Sequence, residues 1–419
     1  MAMLNNKFAS CLVLFSAIFA YFPFVGFVPK MDLQPLFFLA AFLCVVFLIW
    51  YCKVGISFVL AILLGAGLVL SHFAFIEEAP EFKYLLTYLL AIFAIFFFYV
   101  FYPEYYGAFL NSKLIYFAFL IYAVVGVIQF FYPEFLAFAV TRSVDAALSY
   151  SETGRGVRSL TGEPSSLGKM FNLLNALYVL SLVVQGKVLA PSRVLIISFV
   201  FLVANIVIAR SAYAAGIHFF LISVLWLLIA RRSFFVFIIL ACLAFVITAA
   251  ALISILNEIQ DVRMVGLIFV LMNEPEMILQ QGAMRRVLNI PISLNNLAFY
   301  GFNGAGNSPD VFNGRLWTPL GYLHYYGHSR NIGGFVEFIL KFGVFSIPII
   351  LLYFMLLLKA LSVTSYFTGA KSRIGIYFLL SGLLLSFQDS SPALPLALLF
   401  VVGAARVYDI QKSSNRIAA

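Results

Sequence analysis

Apolar runs repeat along almost the whole of this chain. Most are as long as the roughly 17–25 residues that a helix needs to cross a ~30 Å hydrocarbon core. Twelve segments have this character: Phe8–Val28, Pro35–Tyr51, Val54–Phe75, Tyr84–Tyr102, Leu114–Phe131, Leu167–Val184, Val194–Ala209, Ala212–Ala230, Ser233–Leu256, Ile332–Leu358, Ile374–Phe387 and Ala393–Val407. The seventh and the last two fall slightly short of a full crossing as drawn. With 64% hydrophobic and only 10% charged residues, the chain has too little polar surface for a water-soluble domain. The expected fold class is an all-α polytopic integral membrane protein of about twelve transmembrane helices, forming one membrane domain over residues 1–419.

The distribution of lysine and arginine gives an expected orientation. The amino terminus and every second connection hold 13 bases against two acids (Glu104 and Asp409), whereas the opposite side holds 13 bases and 15 acids. The positive-inside rule then puts both termini in the cytoplasm of a bacterial inner membrane. The net charge of +9 is thus explained by topology, and no nucleic-acid partner is expected. A short amino-terminal region with Lys7 precedes the first run, and Ala17–Ala20 offers small residues for cleavage. The run continues to Val28, however, which favours an uncleaved first span. All four cysteines (Cys11, Cys44, Cys52 and Cys242) fall within or at the edge of spans, so no disulfide framework is implied. The cytoplasmic connections are too short for a nucleotide-binding domain, and no Gly-rich phosphate loop is present.

Two long hydrophilic connections fall on the expected periplasmic side, residues 132–166 and 257–331. The first contains Arg155-Gly-Val-Arg158-Ser-Leu-Thr-Gly-Glu163-Pro164-Ser165-Ser166, a charged and turn-forming patch set between spans. The second contains a nine-residue apolar run, Met264–Met272, too short to cross, then Met284-Arg285-Arg286 and the Gly-rich Tyr300–Asp310. It closes with Tyr322-Leu-His324-Tyr-Tyr-Gly-His328-Ser-Arg330-Asn331.

Arginine is the residue type to follow here, because its planar fork pairs with phosphate and keeps its charge. Arg142, Arg155, Arg158, Arg210, Arg263, Arg285, Arg286 and Arg315 lie on the expected outer side, with Arg330 at the mouth of the tenth span. The positive-inside rule disfavours them there. A lipid-linked diphosphate would account for the set, as headgroup contact or salt bridging to the outer acids would for any one of them. Arg210 is flanked by apolar runs on both sides, so it either snorkels to the interface or serves a ligand there. Among the histidines, His72 and His218 sit inside apolar spans and read as hydrogen-bonded packing residues. His324 and His328, four residues apart, would share a face if their segment is helical, and one of them is the candidate general base. Without a carboxylate partner that spacing is a weak metal signal, so neither metal nor cofactor is expected. Mid-span charges are scarce, whereas coupled carriers usually bury some.

Arg158-Ser-Leu-Thr-Gly-Glu163-Pro164-Ser165, followed directly by a span, resembles the Arg-x-x-Gly-hydrophobic-x-Glu-Pro-Ser signature of bacterial O-antigen polymerases of the Wzy type, relatives of the O-antigen ligases, with the difference that Gly162 directly precedes Glu163 here. Ala209-Arg210-Ser211 resembles that family's Ser/Arg turn between spans. Met284-Arg285-Arg286 resembles its loop arginine, Tyr300–Gly306 its Gly-x-Gly turn, and His328-Ser-Arg-Asn331 with Phe335–Gly343 its histidine-led tenth span. The resemblance implies a GT-C-like, metal-independent membrane glycosyltransferase. It would act on an undecaprenyl-diphosphate-linked oligosaccharide at the periplasmic face, next to membrane lipid, with a Wzz-like chain-length regulator as an expected partner. It further implies diphosphate binding by Arg158, Arg210 and Arg285, seconded by Arg155 and Arg286, and His328 as base. Glu163 would orient an arginine or the acceptor, or cap the sixth span, and Tyr322, His324 and Asn331 would contact substrate. The alternatives are an O-antigen ligase passing polymer to lipid A–core, and a polysaccharide or lipid flippase.

Overall fold

The computed structural model describes residues 7–26, 34–51, 82–140, 156–185, 191–230, 313–318, 321–326, 339, 342–367, 370–388 and 394–418. Helix dominates: α1 (Lys7–Tyr21), α2 (Leu36–Tyr51), α3 (Phe82–Phe109), α4 (Ser112–Phe131), α5 (Pro164–Val184), α6 (Pro191–Ala204), α7 (Ala212–Ala230), α8 (Ile347–Leu361), α9 (Gly375–Gln388) and α10 (Pro395–Ala418). A π-helical turn, Asn205–Ala209, extends α6, and a 3₁₀ turn, Gly343–Ser346, leads into α8. Ten of the twelve apolar segments therefore carry helix. The other two, Val54–Phe75 and Ser233–Leu256, lie outside the described residues.

Among the described residues, four helical stretches are long and apolar enough to cross a membrane: Ser112–Phe131, Pro164–Val184, Ser192–Ala209 and Gly343–Leu361. The remaining apolar helices are shorter in their described parts. Large apolar side chains point outward from helices of both kinds, among them Phe42, Phe117, Phe131, Ile196, Phe199, Leu351 and Leu358. Water would tolerate so much exposed hydrocarbon poorly, and lipid accepts it. The protein is membrane-integral.

The burial pattern singles out α5. It packs against α4, α6, α7, α9 and α10, and 89% of its membrane-length window is buried, against 33–44% for the other three. It is also the least apolar of the four. The two facts have one cause. A helix facing lipid must be apolar over its exposed surface, whereas a helix enclosed by others carries polar side chains wherever they find hydrogen-bond partners. Asn172, Asn175 and Ser181 of α5 are all buried.

The fold is helical, as expected, and local structure refines three points. First, two short antiparallel hairpins, β1 (Asn313–Thr318) with β2 (Gly321–Tyr326) and β3 (Ser365–Phe367) with β4 (Ala370–Ser372), lie between helical elements. The segment carrying Tyr322 and His324 is a strand, so the helical condition set for His324 is not met. Its alternation of aromatic residues around His324 suits the pleat better than a helix stripe. Second, α5 begins at Pro164 instead of Leu167, because proline is preset for the first helical position and Glu163 stands extended before it. Third, α3 continues past Tyr102 through Pro103 to Phe109. A proline that would stop a soluble helix is tolerated in a membrane bundle, where neighbours take up the freed backbone groups.

Basic side chains remote from the candidate site are used for packing. Arg406 of α10 lies 3.6 Å over the Tyr99 ring and donates to Tyr99 O at 2.6 Å, while Asp409 sits 3.8 Å from Arg406 and 3.6 Å from Lys359.

Candidate functional site

Three chain segments meet where the Arg-rich patch enters α5. The first is the stretch 156–163. Arg158 begins a tight turn closed by Thr161 N–H donating to Arg158 O at 3.0 Å, and Ser159 within it adopts a left-handed backbone (φ 51°). The Thr161 hydroxyl reinforces the turn, donating toward Arg158 O (2.7 Å) and Glu163 O (2.8 Å).

The second segment is the end of α4. The Gln129 amide works as a double clamp on Ser159. Its Oε1 accepts from Ser159 N–H at 2.7 Å, while its Nε2 donates to Ser159 O at 3.2 Å and to Phe135 O at 2.8 Å. The Ser159 hydroxyl donates to Tyr122 O at 2.7 Å. The Ser159 backbone is thereby sealed into an apolar bundle with its N–H, carbonyl and hydroxyl satisfied, which is the condition for irregular backbone at membrane depth. The first connection is therefore not a solvated loop throughout. Residues 157–162 are buried.

The third segment is the turn between α6 and α7. Gly156 (φ +88°) lies directly on it: a Cβ there would stand 2.7 Å from Ala209 O and 3.0 Å from Arg210 Cβ. Val157 N–H points at Ile208 O at 3.4 Å. Arg210 itself is left-handed (φ 47°, ψ 36°) at the end of the π turn, a conformation that costs a non-glycine residue about 1–2 kcal/mol. Its guanidinium lies 4.9 Å from the Phe130 ring centroid, a cation–π contact with the end of α4. Partial burial draws the Arg210 guanidinium below the ordinary arginine range, and it remains cationic at neutral pH.

Of the residues anticipated from the sequence, the fold thus brings Arg158, Glu163 and Arg210 to one end of the bundle. Arg158 is only 2% exposed, and Arg210 is half-buried and accessible. Glu163 occupies the position that caps α5, yet its side chain makes no capping bond. Its carboxylate accepts from the Ser165 hydroxyl at 3.2 Å and stands beside the positive end of the helix. Tyr322 and His324 lie on β2, opposite Trp317 and Arg315 of β1 in the register. Arg155, Arg285, Arg286, His328 and Asn331 lie outside the described residues. Among the described residues no group of three or more His, Cys, Asp or Glu is gathered together. No known protein family matches the chain, and neither a curated protein nor a solved structure is similar to it.

Gln129 and Gly156 are parts of this site that the sequence did not flag. A glutamine near the end of an apolar run was the available signal for the first, since a bilayer span keeps an amide only where it is satisfied. Gln129→Leu is expected to leave Ser159 N–H unsatisfied at a cost of about 1–3 kcal/mol. A lowered thermal midpoint in detergent would register it, and an unchanged midpoint would show that the clamp is dispensable.

Proposed function

We propose that the protein polymerises lipid-linked oligosaccharide repeat units of O-antigen or a related surface polysaccharide. It would transfer the glycan from undecaprenyl diphosphate to a sugar hydroxyl of a second lipid-linked repeat unit at the periplasmic face of the inner membrane. The observation that carries the reading is the junction of the Arg158 turn with the Arg210 turn, through Gly156 on Ala209, at one end of an apolar bundle. Two guanidinium-bearing turns locked together where the chain is otherwise oil form a setting for a lipid-borne anion.

The reaction follows from that setting. The acceptor hydroxyl oxygen attacks the donor anomeric carbon, the anomeric C–O bond to diphosphate breaks, and undecaprenyl diphosphate departs with the electron pair. The hydroxyl proton passes to a base, assigned to His328 by the resemblance. Charge builds up on the leaving diphosphate, and cations fixed in a partly dehydrated site stabilise it without reorganising. In this reading Arg210, the accessible one of the pair, touches the diphosphate. Arg158, buried in the adjoining turn, supplies a second charge, Arg285, Arg155 and Arg286 add to the cationic set, and Glu163 orients the acceptor or an arginine. The twelve-span, GT-C-like plan with both termini in the cytoplasm belongs to the same proposal, since it sets the Arg158 and Arg210 turns on the periplasmic side.

The test is the lipopolysaccharide gel profile of the host strain with the gene deleted and restored. Collapse of the ladder to core plus one repeat is the expected result. Bare core with polymer retained on undecaprenyl diphosphate would make the protein a ligase instead, and an unchanged ladder would remove the O-antigen assignment.

A further inference from the structure

A buried polar cluster lies directly beneath the Arg210 turn. Asn172 of α5, Asn205 at the start of the π turn and His218 of α7 are each no more than 1% exposed. The Asn205 amide nitrogen donates to Asn172 Oδ1 at 2.7 Å and lies 3.1 Å from His218 Nδ1. His218 Nδ1 also lies 2.5 Å from Asn172 Oδ1, and Nε2 lies 3.1 Å from Ser198 O; the ring N–H serves Asn172 in one tautomer and Ser198 in the other. The Asn172 amide nitrogen donates in turn to Ala214 O at 2.9 Å.

One side chain of the central helix therefore grips the Arg210 turn on both flanks. Asn172 holds Asn205, five residues before Arg210, through its oxygen, and Ala214, four residues after it, through its nitrogen. Gly168 lies one helical turn earlier on the same face of α5 and lets the turn press onto the helix. A Cβ at that position would stand 2.7 Å from Ala214 Cβ, 2.9 Å from Asn205 Oδ1 and 3.1 Å from Ser211 Cβ. The turn so held contains a π-helical register and a left-handed arginine, both of which persist only where the surroundings impose them.

We propose that Asn172 is a positioning residue for Arg210, acting with Asn205 and His218 to aim its guanidinium at the diphosphate. The inference rests on the reading of Arg210 as the diphosphate contact. A wrongly placed guanidinium loses the pairing geometry while keeping its charge, so the loss appears in binding of the leaving group and not only in folding.

The test is a double-mutant cycle on the purified full-length protein in nanodiscs, reading its affinity for undecaprenyl diphosphate, with the thermal midpoint measured alongside. Asn172→Ala is expected to weaken binding by about tenfold or more. In the Arg210→Ala background it should have no further effect, because the group it aims is gone. Asn175→Ala serves as the control. It removes a buried amide from the same helix that faces Tyr377 Oη at 3.5 Å and is expected to leave affinity unchanged. Additive losses in the cycle, or an equal loss in Asn175→Ala, would overturn the positioning role while leaving the Arg210 assignment standing. If Arg210→Ala alone leaves affinity intact, the diphosphate contact fails and the positioning role fails with it. Should Asn172→Ala not fold, Gly168→Ala presses on the same turn without removing a hydrogen bond, and the same cycle is read with it.

Discussion

Arg210→Ala is expected to reduce glycan transfer by about 100-fold or more, the usual consequence of removing one preorganised group that stabilises developing negative charge. The side chain is half-buried and rests on Phe130, and the backbone around it is held by contacts that do not involve the guanidinium. The variant should therefore insert and fold, with a near-normal thermal midpoint in detergent. Arg210→Lys keeps the charge but loses the fork and should recover only part of the rate. In vivo the readout is the length distribution of the polysaccharide, and in vitro it is the rate of undecaprenyl diphosphate release. A normal chain length in Arg210→Ala would remove the diphosphate role. Full recovery with lysine would reduce the residue to a headgroup anchor.

Gly156→Ala is expected to damage the site from the backbone side. Its positive φ alone makes an added Cβ unfavourable by about 1 kcal/mol. The obstacle is also rigid: Ala209 O would be met at 2.7 Å and the Arg210 Cβ at 3.0 Å, and neither is the free end of a flexible chain. The 156–163 stretch must lift away from the α6–α7 turn, which separates Arg158 from Arg210. Both the thermal midpoint and polymer formation should fall, and the loss of polymer should exceed what the drop in stability explains. A variant with wild-type activity would show that the two turns work independently.

The helices were legible because hydrocarbon length is a strong constraint: runs such as Leu114–Phe131 and Val194–Ala209 approach or reach the length a helix needs to cross. Their ends were less so. Pro103 reads as a terminator by local chemistry, yet α3 passes through it, because tertiary neighbours decide what happens to a freed carbonyl. The chemistry of the site was legible as residue types, arginine and a Glu-Pro start to α5, but not as an arrangement. That Arg158 is enclosed while Arg210 is accessible depends on Gln129 clamping Ser159 across 30 residues of sequence. The Asn172–Asn205–His218 cluster joins partners separated by 33 and 13 residues, and no local spacing announces such a meeting. His218, inside an apolar span, has the sequence setting of a hydrogen-bonded packing residue, and its contacts with Asn172, Asn205 and Ser198 agree. What it packs beneath could be learned only from the fold. Likewise the strand at Gly321–Tyr326 reflects pairing with Asn313–Thr318, and pairing is a property of two segments together.

The enclosure of α5 bears on how the protein is made. A segment that carries Asn172, Asn175 and Ser181 on its buried surface and starts at a charged turn partitions weakly into lipid by itself. Asn172 is satisfied only after α6 and α7 have folded back against it, and Asn175 meets Tyr377 only once α9 arrives, whereas Ser181 donates to Tyr178 O within α5. During synthesis the central helix must therefore wait at the translocation machinery, or at the bilayer edge, for partners that follow it in the chain. Asn172 belongs both to the residues that aim Arg210 and to those that delay α5, so assembly of the bundle core and assembly of the arginine turn are coupled through one side chain.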